Sequence, residues 1–233
     1  MTSDPLLLVP GILCTQRLYQ SQLHSIDDRA VLVADHQSNE SVEGIVTTIL
    51  KQAPPQFNLA GLSMGGFLAM EIALRAPERV LRLGLLSTTA RSDTTAQTDS
   101  RRERIVAAQN GGLADIIEEM VPLFLGPAAV KRQELVDCVY RMAEETGPEA
   151  YCRQQTALLS HRDLRPLLHQ IQCPTLVLVG DEDIMTPLDR SVEIAQRISG
   201  DNPLVVENCG HLSTLEAPEI VNQALKKWLS TPQ

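Results

Sequence analysis

A serine enclosed by glycines is the residue of this chain whose surroundings most favour covalent chemistry. The segment "NLAGLSMGGFLAMEIALRAPERV" begins at Asn58 and contains Gly61-Leu62-Ser63-Met64-Gly65. An apolar run precedes this G-x-S-x-G pattern and a helical pattern follows it, which is the context that a nucleophile elbow requires. Glycines on both sides remove Cβ atoms that would clash in so tight a turn. We predict that the Ser63 hydroxyl lies at the tip of a strand-to-helix turn, above a sheet.

The same turn places the N-terminus of the following helix beside Ser63. The free amides and the dipole at that end of a helix favour developing negative charge. We therefore expect the backbone N–H of Met64 to donate one hydrogen bond to an oxyanion. A glycine-rich turn that only packs is the alternative reading of the motif.

A serine hydroxyl needs a base to take its proton and a carboxylate to orient that base. Asp183 lies in "LVGDEDIMTP" and His211 in "VVENCGHLSTLEAP", each just past an apolar run. Ligands of open α/β sheets meet the sheet at such strand ends. An acidic run after a strand is also typical of a helix cap, and a loop histidine is usually solvated. Three such residues at strand ends, in the order Ser, Asp, His, favour a catalytic triad.

Six short apolar runs predict the strands that position these residues. Most lack alternation between apolar and polar residues, which indicates strands buried on both faces, as in a parallel sheet. Helical patterns separate several of them, so the chain is predicted to form an α/β fold with helices on both faces of the sheet. The runs span residues 6–9, 30–34, 57–62, 80–87, 175–180 and 203–208.

One segment, from about Asp99 to His169, contains only helical patterns, punctuated by Gly111-Gly112, Gly126-Pro127 and Gly147-Pro148. We predict a helical cap insertion over residues 99–169 that covers a pocket at the sheet edge. Extra helices packed on one face of the sheet are the alternative. Nothing else divides the chain, so residues 1–233 are expected to form a single domain.

The composition argues against several classes of partner. A formal net charge of −9 disfavours nucleic acid, and Arg101, Arg102 and Arg104, diluted by Glu103, indicate a solvated helix start. Five widely spaced cysteines without a C-x-x-C pair predict neither a disulfide framework nor a zinc site. The apolar runs are too short for a membrane span or a signal peptide. We expect a cytoplasmic protein without metal, cofactor or membrane partner, and make no prediction of its oligomeric state.

Further segments carry a family resemblance: "VPGILCTQRLY", "GLSMGG", "APERVLRLGLLS", "CPTLVLVGDEDIMTP" and "NCGHLSTLEAPEIV". Over nearly its whole length the chain resembles the α/β-hydrolase family, with about six main strands expected. The resemblance implies a triad of Ser63, Asp183 and His211. It selects Asp183 over Asp181, because the family's acid usually falls three residues after the glycine that ends its strand.

The resemblance also assigns the second oxyanion amide to Ile12, the residue after the early glycine. One departure concerns this loop. Relatives usually carry His-Gly where this chain has Pro10-Gly11. The donating amide survives that change, but the hydrogen bonds of the missing imidazole do not.

These motifs predict a cofactor-free serine hydrolase of the carboxylesterase type. Ser63 would attack an ester-like carbonyl while His211 takes its proton and Asp183 steadies the imidazolium, giving an acyl-enzyme. The expected substrate is a carboxylic ester, or a related thioester or lactone, with a small or medium apolar acyl group. C–C bond hydrolase, enol-lactonase and perhydrolase are alternatives within the fold, and a ligand sensor or protein-interaction module with slow or no turnover is the alternative outside catalysis.

Apolar residues near the motifs and in the insertion are expected to line the substrate pocket, although such residues are more often plain core. His161 is within reach of a pocket from the insertion, but a surface or capping contact is the expected role. Cys14, with no cation or histidine beside it in sequence, is predicted to be a small packed thiol. The expected lining, beside Ile12 and Met64, is Leu13, Met120, Leu123 and Phe124.

Overall fold

The computed structural model describes residues 4–231 and contains one six-stranded sheet in the order β2-β1-β3-β4-β5-β6. All five neighbouring pairs run parallel. This arrangement confirms the predicted fold class. The strands are β1 Leu6–Val9, β2 Val31–Val33, β3 Phe57–Leu62, β4 Val80–Leu86, β5 Thr175–Gly180 and β6 Leu204–Val206.

The four inner strands follow the predicted runs closely, whereas the two edge strands are shorter. Every residue of β1 and β3 is buried, since helices cover both faces of the sheet there. The edge strands β2 and β6 have three residues each, and Leu32 and Leu204 are about two-fifths exposed, at 40% and 41%. Each of these strands has a partner on one side only, and short edge strands are common in proteins.

Helices lie between the strands and pack against the sheet, with α3 seated on β3 and β4. Ser41 caps α2, since its hydroxyl accepts a hydrogen bond from the Gly44 N–H at 3.1 Å. No helix within residues 4–231 is both long and apolar enough to cross a membrane. The helices are α1 Gln20–Ser25, α2 Val42–Gln52, α3 Met64–Arg75, α4 Thr95–Gln109, α5 Leu113–Phe124, α6 Gln133–Leu159, α7 Leu188–Ile198, α8 Ser213–Glu216 and α9 Pro218–Leu229.

The long connection between β4 and β5 contains α4, α5 and α6. A capping box of Thr94 and Gln97 begins α4. Gly147 interrupts α6 with a φ of 70°, a left-handed conformation that glycine adopts readily, and the helix bends there. Beyond the bend, the second half of α6 contacts the loop after β1 through Gln154 and α4 through Gln155.

Candidate active site

Ser63 occupies the junction between β3 and α3 with a φ of 59° and a ψ of −121°. Nearby backbone atoms explain why only glycine fits two residues before and two residues after Ser63. A Cβ on Gly61 would lie 2.1 Å from the Gly65 carbonyl oxygen, and one on Gly65 would lie 1.9 Å from the Val9 carbonyl oxygen. Strained backbone of this kind costs about 1–3 kcal/mol and persists where the surrounding structure over-determines it. The predicted sharp turn at the serine is therefore present.

Asp183 follows β5, His211 follows β6, and their side chains meet. Nδ1 of His211 lies 2.9 Å from Oδ2 and 3.0 Å from Oδ1 of Asp183, and both side chains are fully buried. The carboxylate also accepts hydrogen bonds from the backbone N–H groups of Met185 and Thr186, at 3.0 and 2.9 Å, and from the Thr186 hydroxyl at 2.7 Å. The acid is thus held by its own loop independently of the histidine.

The electrostatics of this pair favour an ionised acid. Burial by itself would raise the pKa of Asp183, but the charge and hydrogen bond of His211 and the donors of Thr186 lower the pKa below its usual 3.8. An ionised carboxylate only accepts hydrogen bonds, so Nδ1 of His211 carries the proton that it donates. In the neutral ring Nε2 then keeps its lone pair and is able to act as a base.

Nε2 of His211 is buried and has no hydrogen-bond partner in the part of the chain described, so no bond joins it to the Ser63 hydroxyl. The Phe124 ring lies parallel to the imidazole, with centroids 6.0 Å apart and an interplanar angle of 11°. A buried polar atom without a partner is uncommon in proteins. In free enzymes the nucleophile–base contact is often long and tightens only when substrate binds.

The loop after β1 passes directly beside the serine. A Cβ on Gly11 would lie 3.2 Å from the Cβ of Ser63. Ile12 and Met64, whose amides are the predicted oxyanion donors, both line the cavity that contains Ser63. The loop after β1 and the start of α3 therefore meet at Ser63. An oxyanion hole requires two backbone N–H groups close to the nucleophile in this way.

The cavity at Ser63 has a volume of about 130 Å³ and a mixed lining. Ile12, Met64, Phe67, Leu158 and Met185 supply its apolar part. A larger groove of about 730 Å³ lies beside α2 and contains none of Ser63, Asp183 and His211. Besides Ser63 and Thr186, the polar lining consists of Thr88, Thr89, Asp93, Gln97, Arg101 and His161.

Ile12 and Met64 line the cavity as expected, but the other four apolar residues expected there lie elsewhere, which corrects that part of the expectation. Leu13, Met120 and Phe124 are 2–3% exposed and belong to the hydrophobic core, and Leu123 packs against that core. None of the four lines the cavity at Ser63. The apolar face of α5 packs inward, with Phe124 against the His211 ring. Residues of α4 and of the end of α6 line the cavity at Ser63 instead.

Arg101 and His161 were not expected at the site. The Arg101 guanidinium donates from Nε and Nη2 to Asp93, at 2.5 and 3.1 Å, and from Nη1 to Gln155 at 2.9 Å. The His161 side chain is 4% exposed, and its ring nitrogens contact the carbonyl oxygens of Leu158 and Arg91. Arg101 is therefore not part of a solvated helix start. The sequence around Arg101 gave no sign that the face of α4 with Gln97 and Arg101 lines the cavity.

Within residues 4–231, no three His, Cys, Asp or Glu side chains are arranged to hold a metal ion.

Comparison with known proteins places this geometry among hydrolases. A family model described as alpha/beta hydrolase fold matches residues 36–218. The chain is 26% identical over 245 residues to (E)-2-((N-methylformamido)methylene)succinate hydrolase of Acinetobacter baylyi, which covers 98% of this chain and 91% of that protein. It is 28% identical over 173 residues to 3-oxoadipate enol-lactonase 2 of the same organism, covering 74% of this chain and 63%, less than two thirds, of the relative. The solved structure of a thermophilic esterase from Thermogutta terrifontis, with malate bound, has a TM-score of 0.89 and 27% identity, covering 98% of this chain and 90% of that one.

Proposed function

The chain belongs to the α/β-hydrolase family, and from that premise we propose that it is a serine hydrolase of a small carboxylic ester, thioester or lactone. Its relatives support an enzyme of the hydrolase class. The observation that carries the finer proposal is the buried Asp183–His211 pair, whose free ring nitrogen Nε2 has no other partner, together with the strained elbow that presents Ser63.

The proposed reaction is acyl transfer in two steps. Ser63 Oγ bonds to the carbonyl carbon while Nε2 of His211 takes the hydroxyl proton, and the N–H groups of Ile12 and Met64 stabilise the oxyanion. His211 then protonates the departing alcohol or thiol as its bond to the carbonyl breaks. Water, deprotonated by His211, repeats the attack and releases the acid and Ser63. Throughout, the Asp183 carboxylate stabilises the imidazolium.

The cavity supports a small substrate with a polar group, rather than a wholly apolar one. About 130 Å³ is well below the roughly 300–1,000 Å³ typical of pockets for drug-sized ligands. Two of the five N–H bonds of the Arg101 guanidinium lie outside its contacts with Asp93 and Gln155, which use three. The names of two relatives give a substituted succinate and an enol-lactone of 3-oxoadipate as substrates. We propose that an oxygen-bearing group of the substrate faces Arg101 and Gln97.

A fluorophosphonate probe combined with a series of p-nitrophenyl esters tests this function. The wild-type protein should label and turn over acetate and butyrate esters, with rates falling steeply by octanoate because the cavity is small. Ser63→Ala should abolish both labelling and turnover. Ser199→Ala, which changes an exposed serine at the end of α7, should leave both unchanged.

The remaining outcomes separate the alternatives. Labelling at Ser63 without turnover of any ester, thioester or lactone would favour a ligand sensor. Absence of both labelling and turnover would overturn the proposal. Preference for a small lactone over the open ester of the same acid would select lactonase activity, in which the alcohol produced stays attached to the acid.

A further inference from the structure

Two buried polar side chains hold the loop that carries Ile12, and the acyl-transfer steps use neither. His36, from the loop after β2, is 2% exposed, and Gln154, from the second half of α6, is fully buried. Nε2 of His36 lies 2.9 Å from the Gly11 carbonyl oxygen, and Oε1 of Gln154 accepts a hydrogen bond from the Leu13 N–H at 3.1 Å. Ile12 lies between the two backbone groups that are held.

The bond from His36 bears directly on the oxyanion donor. The Gly11 carbonyl and the Ile12 N–H belong to one planar peptide unit, and no peptide bond of the described chain is cis. In a trans unit these two groups point in opposite directions. The Gly11 carbonyl contacts Nε2 of His36 and also accepts a hydrogen bond from the Cys14 N–H at 3.2 Å. Fixing the direction of this carbonyl fixes the opposite direction of the Ile12 N–H, in a loop that lies against Ser63.

The proton of His36 belongs on Nε2. A carbonyl oxygen only accepts, so the 2.9 Å contact to Gly11 requires an N–H there. Burial lowers the pKa of His36 below 6.5, against the opposing effects of the carbonyls of Gly11 and Ala34 and of the Asp35 charge, so the ring is neutral near pH 7 with a single proton. The amide nitrogen of Gln154 also lies 3.0 Å from Nε2, but a protonated Nε2 is unable to accept from it, so Gln154 acts on the loop through its bond to Leu13.

Gln154 stabilises a backbone conformation that the loop does not adopt unaided. Leu13 has a φ of 57°, in the left-handed region that non-glycine residues rarely occupy. The loop of His36 is also bonded to α6, since Arg153 Nε donates a hydrogen bond to the Gln37 carbonyl at 2.7 Å. The second half of α6 is thereby joined to both loops.

We propose that His36 and Gln154 are positioning residues of the oxyanion hole: they orient the Gly11–Ile12 peptide so that the Ile12 N–H faces the carbonyl attacked by Ser63. This inference rests on the proposed function and deepens it. His36 thus brings an imidazole to the Gly11 carbonyl from a different element, the loop after β2.

Four variants and a transition-state analogue test the inference. Loss of one oxyanion donor lowers turnover about 100- to 1,000-fold, so a misdirected donor should lower kcat about 10- to 100-fold in His36→Leu and Gln154→Met. KM should stay within about twofold, because the interaction develops in the transition state. A trifluoromethyl ketone, whose adduct with Ser63 carries an oxyanion, should lose affinity by the same factor as kcat.

Rescue separates positioning from general loss of structure. His36→Gln places an amide N–H near the position of Nε2 and should recover most of kcat. His24→Leu removes an exposed histidine on α1 and should behave as wild type. Circular dichroism and Tm identify the variants that fold, and Gln154→Met carries the test if His36→Leu does not.

The inference is overturned if folded His36→Leu and Gln154→Met both keep kcat within twofold of wild type, or if KM rises while kcat and inhibitor affinity do not change. A wild-type protein that neither labels nor turns over any ester would overturn the proposed function itself. An active wild type with unaffected variants overturns only the role of His36 and Gln154.

Discussion

Replacing Glu216 by glutamine is expected to lower both Tm and kcat, because this carboxylate holds the backbone on both sides of His211. Oε2 accepts hydrogen bonds from the N–H groups of Gly126 and Gly210, at 3.0 and 2.9 Å, and Oε1 accepts one from the Leu212 N–H at 3.2 Å. A Cβ on Gly210 would lie 2.3 Å from the Gly126 nitrogen, so the two loops meet backbone to backbone. Glu216 satisfies the amides that this approach leaves unpaired.

The magnitude follows from the number of acceptors. Glutamine keeps one oxygen, which is able to serve Gly126 and Gly210, but its amide N–H₂ then faces the Leu212 N–H. Leaving one buried donor without a partner costs about 1–3 kcal/mol. For a domain of this size, about 2 kcal/mol corresponds to a fall in Tm of about 4–8 °C. A shift of the imidazole by about 1 Å lowers turnover by up to about 100-fold, so kcat should fall with little change in KM.

Differential scanning fluorimetry and ester turnover, measured on the same preparations, check both effects. Glu207→Gln removes an exposed carboxylate just before the same loop and is the matched control, with both values expected to stay at those of wild type. A Glu216→Gln protein that kept its Tm within about 1 °C and its full kcat would show that the loop of His211 is held by other contacts, and the reasoning from these three bonds would be wrong.

Three further predictions concern the elbow, the acid and the buried thiol. Gly65→Ala should lower the free energy of unfolding by at least about 3 kcal/mol, more than ordinary overpacking, because its Cβ would lie 1.9 Å from a backbone oxygen. Gly111→Ala, the control, has a φ of 86° and no atom within 4 Å of the added Cβ, so it should lower the same free energy by only about 1–2 kcal/mol. Urea unfolding measures both. The lowered pKa of Asp183 should stabilise the fold fully above its usual 3.8 and progressively less as pH falls below that value, so the difference in unfolding free energy between wild type and Asp183→Asn should be flat near neutral pH and shrink in acid. Burial raises the pKa of Cys14 to about 12, so iodoacetamide at pH 7.5 should alkylate Cys14 in denaturant but not in the native protein. Peptide mass spectrometry measures the labelling, and rapid alkylation of the native protein would contradict the prediction of a packed thiol.

The inner strands were predictable because their burial is continuous. A strand covered on both faces, such as Phe57–Leu62, leaves a mostly apolar run, broken here only by the buried Asn58, whose ends coincide with the ends of the strand. The edge runs were predicted too long, and for β6 the extra residues were Pro203, Glu207 and Asn208, which flank the strand Leu204–Val206. The elbow was readable from its G-x-S-x-G pattern, in which the clash at Gly61 is local, with Gly65, whereas the clash at Gly65 is with the distant Val9 carbonyl.

The pocket was not predictable in this way. Apolar periodicity showed that α5 has a buried face but not that this face packs on the core and His211, away from the cavity. Arg101 looked like any charged residue of an exposed helix start, and its partner Gln155 lies 54 residues further along the chain. The bond between Leu13 and Gln154 spans 141 residues, and no local pattern in either segment marks it.

The amino-acid sequence by itself identified the candidate nucleophile, acid and base and placed each near the end of a strand, because strand burial is visible in a few neighbouring residues. Only the tertiary structure decided that His211 meets Asp183, that Arg101 and His161 face the cavity, and that His36 and Gln154 hold the oxyanion loop. The rotation of each helix about its axis is set by the sum of many weak contacts with distant segments, and those contacts exist only after the chain has packed.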